Sequence, residues 1–296
     1  MKKILLLSMV LFVLFLGCEK EGVYNPSKKI KRIEGQSQGE SKKLQQEWTW
    51  EKNLLKKIQY YWGGGSSSYD QRYMYDKNKL IKVEDSDGDY WKISYNNNVY
   101  DKVEYFIDGA VTLSAKFTYD KKKVSRIDLT FYDYYDDDWW KKSQAGFMSN
   151  LLSPELMQGI EKVALKSKAK SQSKSTSYTY KISFTYDKNN IKERVVEYNE
   201  SGYSFTITHK FEKYDNKSNP FYNFYSQFDG EDFVFSKNNP LEIIVEFRET
   251  YLGEADFERY TVSYDYTYNG KFPTEVVQTE RSGNYSWRYT TYYDYY

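Results

Sequence analysis

Chemistry that depends on histidine or cysteine has little to work with in this chain, which holds one of each among 296 residues. His209 lies in an alternating run, on the same face as Phe205, Ile207 and Phe211. A zinc site needs several such ligands, and an activated nucleophile needs a base beside it. His209 therefore reads as a packed or interfacial histidine. Asp85-Ser86-Asp87-Gly88-Asp89 places carboxylates at alternate positions, as calcium loops do at their start. An EF-hand loop has glycine at its sixth position and an acid at its twelfth, whereas here Gly88 is fourth and Asn96 twelfth. A solvated hairpin turn accounts for the segment better, which leaves Asp85, Asp87 and Asp89 as minor metal candidates. Asp136, Asp137 and Asp138 stand beside Trp139 and Trp140. That group could hold a cation or stack a sugar ring on an indole; the simpler reading is an acidic loop whose tryptophans pack on neighbouring elements. It is the leading ligand candidate in the sequence. Gly63 to Ser68 lacks the lysine of a phosphate loop and reads as a turn. The pair of acids that glycosidic cleavage requires cannot be singled out from 42 carboxylates without geometry. No catalytic residue and no cofactor is expected.

The one cysteine has a different role. Lys2 and Lys3 precede an apolar run from Ile4 to Leu16, broken only by Ser8 and too short for a stable transmembrane helix, which is the pattern of a signal peptide. Phe15-Leu16-Gly17-Cys18 then resembles the lipobox of bacterial lipoproteins, with Phe15 where leucine is commoner. The resemblance implies cleavage after residue 17, diacylation of Cys18 and attachment to a membrane of the cell envelope, most readily the outer membrane. A single cysteine also excludes disulfides, so packing and strand pairing must hold the fold.

Removal of residues 1–17 takes away two lysines and leaves 41 basic and 42 acidic residues, a net charge of −1 with His209 neutral. Nucleic-acid binding needs a clustered excess of Lys and Arg, so that balance argues against such a partner. Tyr 33, Phe 17 and Trp 7 make up 19% of the chain. Tyrosine at that density suits a pleated, half-buried surface.

These side chains sit on alternating runs. Tyr178, Tyr180, Ile182, Phe184 and Tyr186 share one face, Tyr203 to Phe211 repeats the pattern, and so do Tyr260, Val262, Tyr264, Tyr266 and Tyr268. A recurring phrase ends many runs: Trp48-Thr-Trp-Glu51, Tyr73-Met-Tyr-Asp76, Ile93-Ser-Tyr-Asn96, Phe117-Thr-Tyr-Asp120, Phe184-Thr-Tyr-Asp187 and Tyr266-Thr-Tyr-Asn269. A Lys/Asn/Gly turn and an aliphatic run follow each, and Gly-containing turns such as Asp87-Gly88 and Asp108-Gly109 join one unit to the next. The expected fold is all-β: about sixteen antiparallel strands in up-and-down order. Residues 18–27 form the lipidated N-terminus and tether, and 28–296 a single domain. Within it, 136–176 is an insertion. Ser153-Pro154 and the spacing of Leu156, Ile160, Val163 and Ala164 predict an amphipathic helix over about 154–168. A Ser/Lys-rich link follows at 166–177, and 215–240 is expected to be an ordered loop.

Leu44-Gln-Gln-Glu-Trp-Thr-Trp50 with Leu55-Lys-Lys-Ile58, Tyr214 to Phe221, Phe235-Ser-Lys-Asn-Asn-Pro240 and Tyr268-Asn-Gly-Lys-Phe-Pro-Thr274 resemble uncharacterised Bacteroidota lipoproteins described as having a porin-like fold. The resemblance covers nearly all of 28–296. It implies an envelope protein with no catalytic residues to carry over.

Sixteen alternating strands also fit a transmembrane barrel, for which the aromatic C-terminus Tyr292 to Tyr296 is typical. Lys56 between Leu54 and Ile58, and Asp101 between Val99 and Val103, weigh against it, because a basic residue facing mid-bilayer costs about 2–4 kcal/mol. A ring this wide cannot be filled by its own side chains alone. The expectation is a water-soluble barrel, flattened or plugged by 136–176, or a large curved sheet. On that reading the protein is a non-enzymatic envelope lipoprotein that binds a glycan or a partner protein. An outer-membrane pore is the alternative and a carboxylate-dependent glycan hydrolase the second.

Overall fold

The computed structural model describes residues 24–62, 67–132, 177–200, 202–224 and 232–296. The predicted helix at 154–168 and the rest of the 136–176 insertion lie outside these residues. The strands are β1 Ile30–Ser37, β2 Lys43–Glu51, β3 Leu54–Trp62, β4 Ser67–Asp76, β5 Lys79–Asp85, β6 Tyr90–Asn96, β7 Val99–Ile107 and β8 Ala110–Asp120. They continue with β9 Lys123–Phe131, β10 Tyr178–Asp187, β11 Asn190–Glu200, β12 Tyr203–Tyr214, β13 Pro240–Tyr251, β14 Glu254–Asn269, β15 Phe272–Ser282 and β16 Tyr285–Tyr295. Each pairs antiparallel with its sequence neighbours, and β1 pairs with β16, Ile33 opposite Tyr293, so the sheet closes into a sixteen-stranded barrel. Closure leaves no edge strand to attract another chain. The open curved sheet is thereby set aside.

The recurring phrase builds one hairpin many times. Its turn has two residues, and left-handed backbone at both positions marks a type I′ turn: Lys77 and Asn78 (φ 46° and 71°), Asn97 and Asn98 (49° and 72°), Lys121 and Lys122 (48° and 82°). The hairpin also carries a bulge. Trp50 faces Leu55 while Thr49 faces Lys57, so Lys56 is the extra residue. Ile81, Asp101, Ser125, Lys192 and Thr274 are skipped in the same way. One extra residue shifts the side-chain alternation by one place. The expected face Leu54-Lys56-Ile58 is therefore Leu55-Ile58-Tyr60 instead, and Val99-Asp101-Val103 becomes Tyr100-Val103-Tyr105, all six of these side chains buried. Neither charge interrupts an apolar face. Lys56 pairs with Glu51 at 3.3 Å and Asp101 pairs with Lys116.

The apolar face points inward. Trp48, Ile58, Val83, Trp91, Leu113, Ile127, Tyr180, Val196, Ile207 and Val245 belong to one continuous buried cluster. Outward positions carry cross-strand ion pairs, among them Lys181–Glu197 at 3.0 Å and Lys210–Glu246 at 2.9 Å. Exposed pairs of this kind contribute about 0–1 kcal/mol each, so they do little to hold the wall together. Stability comes from the inner face.

The start of β1, the end of β16 and the even-to-odd turns, from β2–β3 to β14–β15, lie at one end of the barrel, called the near end below. The β12–β13 connection fills it. Phe221, Phe224, Val234 and Phe235 are buried. Phe224 packs 5.1 Å from Trp48, Phe221 reaches Tyr293 at 5.9 Å, and Phe235 reaches Phe184 at 5.0 Å, centroid to centroid. Rings from one loop thus touch β2, β16 and β10. Tyr24, in the segment expected as a tether, is buried beside them, 4.4 Å from the Phe224 ring, and its hydroxyl donates to the Pro220 carbonyl at 2.5 Å. The ordered loop expected at 215–240 is, over its described residues, a plug.

Candidate functional site

Three polar places stand out on this apolar scaffold. The largest is a cleft of about 920 Å³ at the near end, between the β2–β3 and β4–β5 turns, the chain at Asn25 to Ser27, and the plug. The turn chemistry supplies its polar groups. Asn78 is there because type I′ turns favour asparagine, Asn53 belongs to the β2–β3 turn, and Asn223 of the plug sits in left-handed backbone at φ 66°. Asn25, Ser27, Ser218 and Tyr222 add amide and hydroxyl groups, while Lys52, Lys56 and Lys237 add positive charge. Asn219 is already engaged: its Nδ2 donates to the Ser236 carbonyl at 2.8 Å and its Oδ1 accepts from the Phe221 amide at 2.9 Å, which fixes the plug. Among the described residues Glu51 is the one carboxylate lining the cleft, and it is paired with Lys56. Side-chain amides donate and accept from one group, as vicinal hydroxyls require of a partner.

The second place lies toward the opposite, far end. Asp85 closes the β5–β6 hairpin, where its Oδ1 accepts from the Asp87 amide at 3.2 Å. Its Oδ2 points inward and accepts from Tyr69 at 3.1 Å and Tyr105 at 3.2 Å. Gln71 joins the same network through Tyr60, Tyr69 and Tyr73. Burial raises the Asp85 carboxyl to about 6, against the pull of its two tyrosine donors. Asp89 Oδ1 accepts from the Asp108 amide at 3.4 Å, and its charge adds to the rise of the Asp85 carboxyl. Among the described residues no group of three His, Cys, Asp or Glu side chains could hold a metal ion.

The third place is Arg194 and His209, opposite each other on β11 and β12 and both buried inside the barrel. Nη2 of Arg194 lies 3.3 Å from the His209 ring nitrogens. Burial, then the neighbouring guanidinium, holds the imidazole well below its ordinary pKa, so it is neutral. It is a packed histidine, as its position in the alternation implies.

One interior cavity, lined by Phe221, Tyr264, Tyr266, Gln278 and Tyr293, measures about 20 Å³. That is on the order of one water molecule. The barrel is similar in fold to porin-like proteins. A porin-like protein from Bacteroides uniformis ATCC 8492 matches with a TM-score of 0.53 at 11% identity, over 93% of this chain and 100% of that one. Another, from Bacteroides vulgatus ATCC 8482, matches at 0.42 and 10% identity, over 91% of this chain and 99% of that one. No protein-family model and no curated protein matches the sequence. At such identity the likeness is one of fold, and the closed sixteen-stranded barrel is a porin-like barrel.

Cys18, Asp136, Asp137, Asp138, Trp139 and Trp140 lie outside the described residues. Asp85, Asp87 and Asp89 fall at one hairpin without sharing a ligand position. The cleft was not singled out in the sequence. Its signal was the repetition of asparagine at one end of most hairpin units, which reads equally as turn chemistry.

Proposed function

We propose that this protein is a non-enzymatic lipoprotein of the bacterial cell envelope, anchored through Cys18 at the outer membrane, whose porin-like barrel binds a glycan in the near-end cleft. The observation that carries this reading is the inward direction of the apolar face. A wall whose outer positions hold pairs such as Lys210–Glu246 is suited to water, and its apolar side chains gather in one buried cluster on the inner face. A lipid then supplies the membrane attachment that the wall does not. The lipobox-like Phe15-Leu16-Gly17-Cys18 supports that anchor. Amide, hydroxyl and lysine groups around 920 Å³ support a polyhydroxyl ligand, and a second protein that presents such groups is the variant of the same reading. A glycan hydrolase needs two carboxylates facing one bond, and among the described residues the cleft offers Glu51 alone.

The pore reading has the barrel itself and its likeness to porin-like proteins in its favour. The filled near end and the charged outer wall weigh against it.

The test is binding of the lipid-free chain, residues 19–296, to a broad glycan panel, repeated with Asn53→Ala and Asn78→Ala together. The reading expects a hit that weakens by at least about tenfold in the double variant, the loss of two net hydrogen bonds of about 1 kcal/mol each. Silence across the panel, or a hit indifferent to both substitutions, contradicts it.

A further inference from the structure

The two ends of the barrel differ in charge. At the near end the hairpin turns present Lys52, Lys77, Lys121, Lys122, Lys188 and, in the β14–β15 turn, Lys271, all exposed. The flanking acids Glu51, Asp76, Asp120 and Asp187 offset only part of this, because Lys79, Lys123, Lys217 and Lys237 stand at the same end. Among the described residues, Lys52, Lys77, Lys121, Lys122 and Lys188 are held in no ion pair. At the far end the turns expose Glu40, Asp87, Asp108, Glu200 and Glu254. Among the described residues, the lysines of the far-end turns, Lys42 and Lys43, are paired with Glu34 at 2.6 Å and Glu40 at 2.7 Å. Among the described residues, then, the near-end turns carry lysines outside any ion pair, and the far-end turns are acidic.

The N-terminal chain enters at the same basic end. Tyr24 is buried in the near-end plug, six residues after Cys18. An extended chain covers about 3.3–3.6 Å per residue, so a lipid on Cys18 would hold the bilayer surface within roughly 20 Å of this ring. Two independent features, charge and tether position, pick the same face.

We infer that the near end is a membrane-docking surface, which seats its lysine ring on anionic phospholipid headgroups. The orientation rests in part on the lipid-anchor reading, but the charge asymmetry does not. Juxtamembrane lysines attract an anionic leaflet with about 1 kcal/mol each, a factor of about five in binding. A single lipid chain gives marginal, reversible attachment unless a second contact adds to it. The ring is such a contact. Docked this way, the cleft opens toward the headgroup layer, and its glycan would be one borne on a lipid.

The test uses the lipid-free chain, residues 19–296, so that no acyl group contributes, and co-sedimentation with phosphatidylcholine vesicles with and without about one phosphatidylglycerol in three. Binding is expected only to the anionic vesicles and is expected to fall with added salt. The triple variant Lys77→Asn, Lys121→Asn, Lys122→Asn should bind on the order of 100-fold more weakly. Its turns stay sound because the protein itself uses Asn97-Asn98 in the same geometry, and circular dichroism checks this. Lys42→Asn with Lys43→Asn at the far end should leave binding unchanged. Equal binding to both vesicle types, no binding to either, or an equal loss in the far-end variant overturns the inference. Each of these outcomes is separable from a silent glycan panel.

Discussion

The Tyr75 hydroxyl donates a 2.8 Å hydrogen bond to the Leu55 carbonyl, and Leu55 is the aliphatic residue that the previous hairpin's Trp50 faces across its bulge. The same latch recurs around the near end: Tyr95 to Leu80, Tyr186 to Val124, Tyr214 to Ile191 and Tyr295 to Pro273, at 2.7–2.9 Å. Trp50 makes its version through the indole nitrogen, to the Ile30 carbonyl at 2.8 Å. The bulge frees a carbonyl and the next aromatic in the ring satisfies it. That is why the phrase repeats.

Tyr75→Phe and Tyr186→Phe should each lower stability by about 0.5–1.5 kcal/mol, the net worth of one hydrogen bond whose acceptor is left behind. Because the two sites are remote, their effects should add. Urea denaturation followed by tryptophan fluorescence measures both. Substitutions without cost would mean that the latch is incidental to the repeat.

Phe224→Ala removes a fully buried ring that touches Tyr24 and Trp48. A loss of about 3–5 kcal/mol is expected. Leu252→Ala at an exposed hairpin tip, where the side chain is 71% accessible, should change stability by under about 0.5 kcal/mol. Equal effects in thermal melts would show that the β12–β13 connection does not hold the near end together.

Asp85 and His209 shape the acid side of the stability curve in opposite directions. The Asp85 carboxyl, raised to about 6 from its ordinary 3.8, binds its proton more readily when folded, so stability falls as pH rises through the window from about 4 to 6. His209, held well below its ordinary 6.5, binds its proton more readily when unfolded, so stability falls as pH drops below about 6.5. Asp85→Asn should therefore stabilise the barrel at pH 7 relative to pH 4, and His209→Gln should flatten the loss at low pH. Melting curves of the two variants from pH 4 to 8 check both slopes, and parallel behaviour of variant and parent contradicts the assignment.

Gly35 on β1 has no room for a side chain. A Cβ there would run into the Tyr289 hydroxyl and Gln45, which bond to each other across the glycine. Gly35→Val should open the seam where β1 meets β16, and faster amide exchange at Glu34 and Gln36 would register it. Unchanged exchange would mean that the seam tolerates the branch.

Much of the architecture was legible in the residues. The alternation at 178–186, 203–211 and 260–268 gave the strands and their buried side, and the turn dipeptides gave their order. Two things were not. A bulge is one inserted residue, and Lys56 and Asp101 look like interruptions of an apolar face until the pairing shows which residue is skipped. The direction of that face was also hidden, because period two is the same whether the apolar side meets lipid or lumen. The plug rings Phe221, Phe224 and Phe235 were visible as an aromatic loop, but only closure of β1 on β16 shows that they have walls to fill.

The central claim is that the apolar face is turned inward. Partition of the lipid-free chain, residues 19–296, between buffer and detergent micelles tests it most directly. The account predicts a folded, β-rich protein that stays in buffer without detergent and adds no conductance to a planar bilayer. A chain that folds only in micelles, or that opens discrete channels, would contradict it.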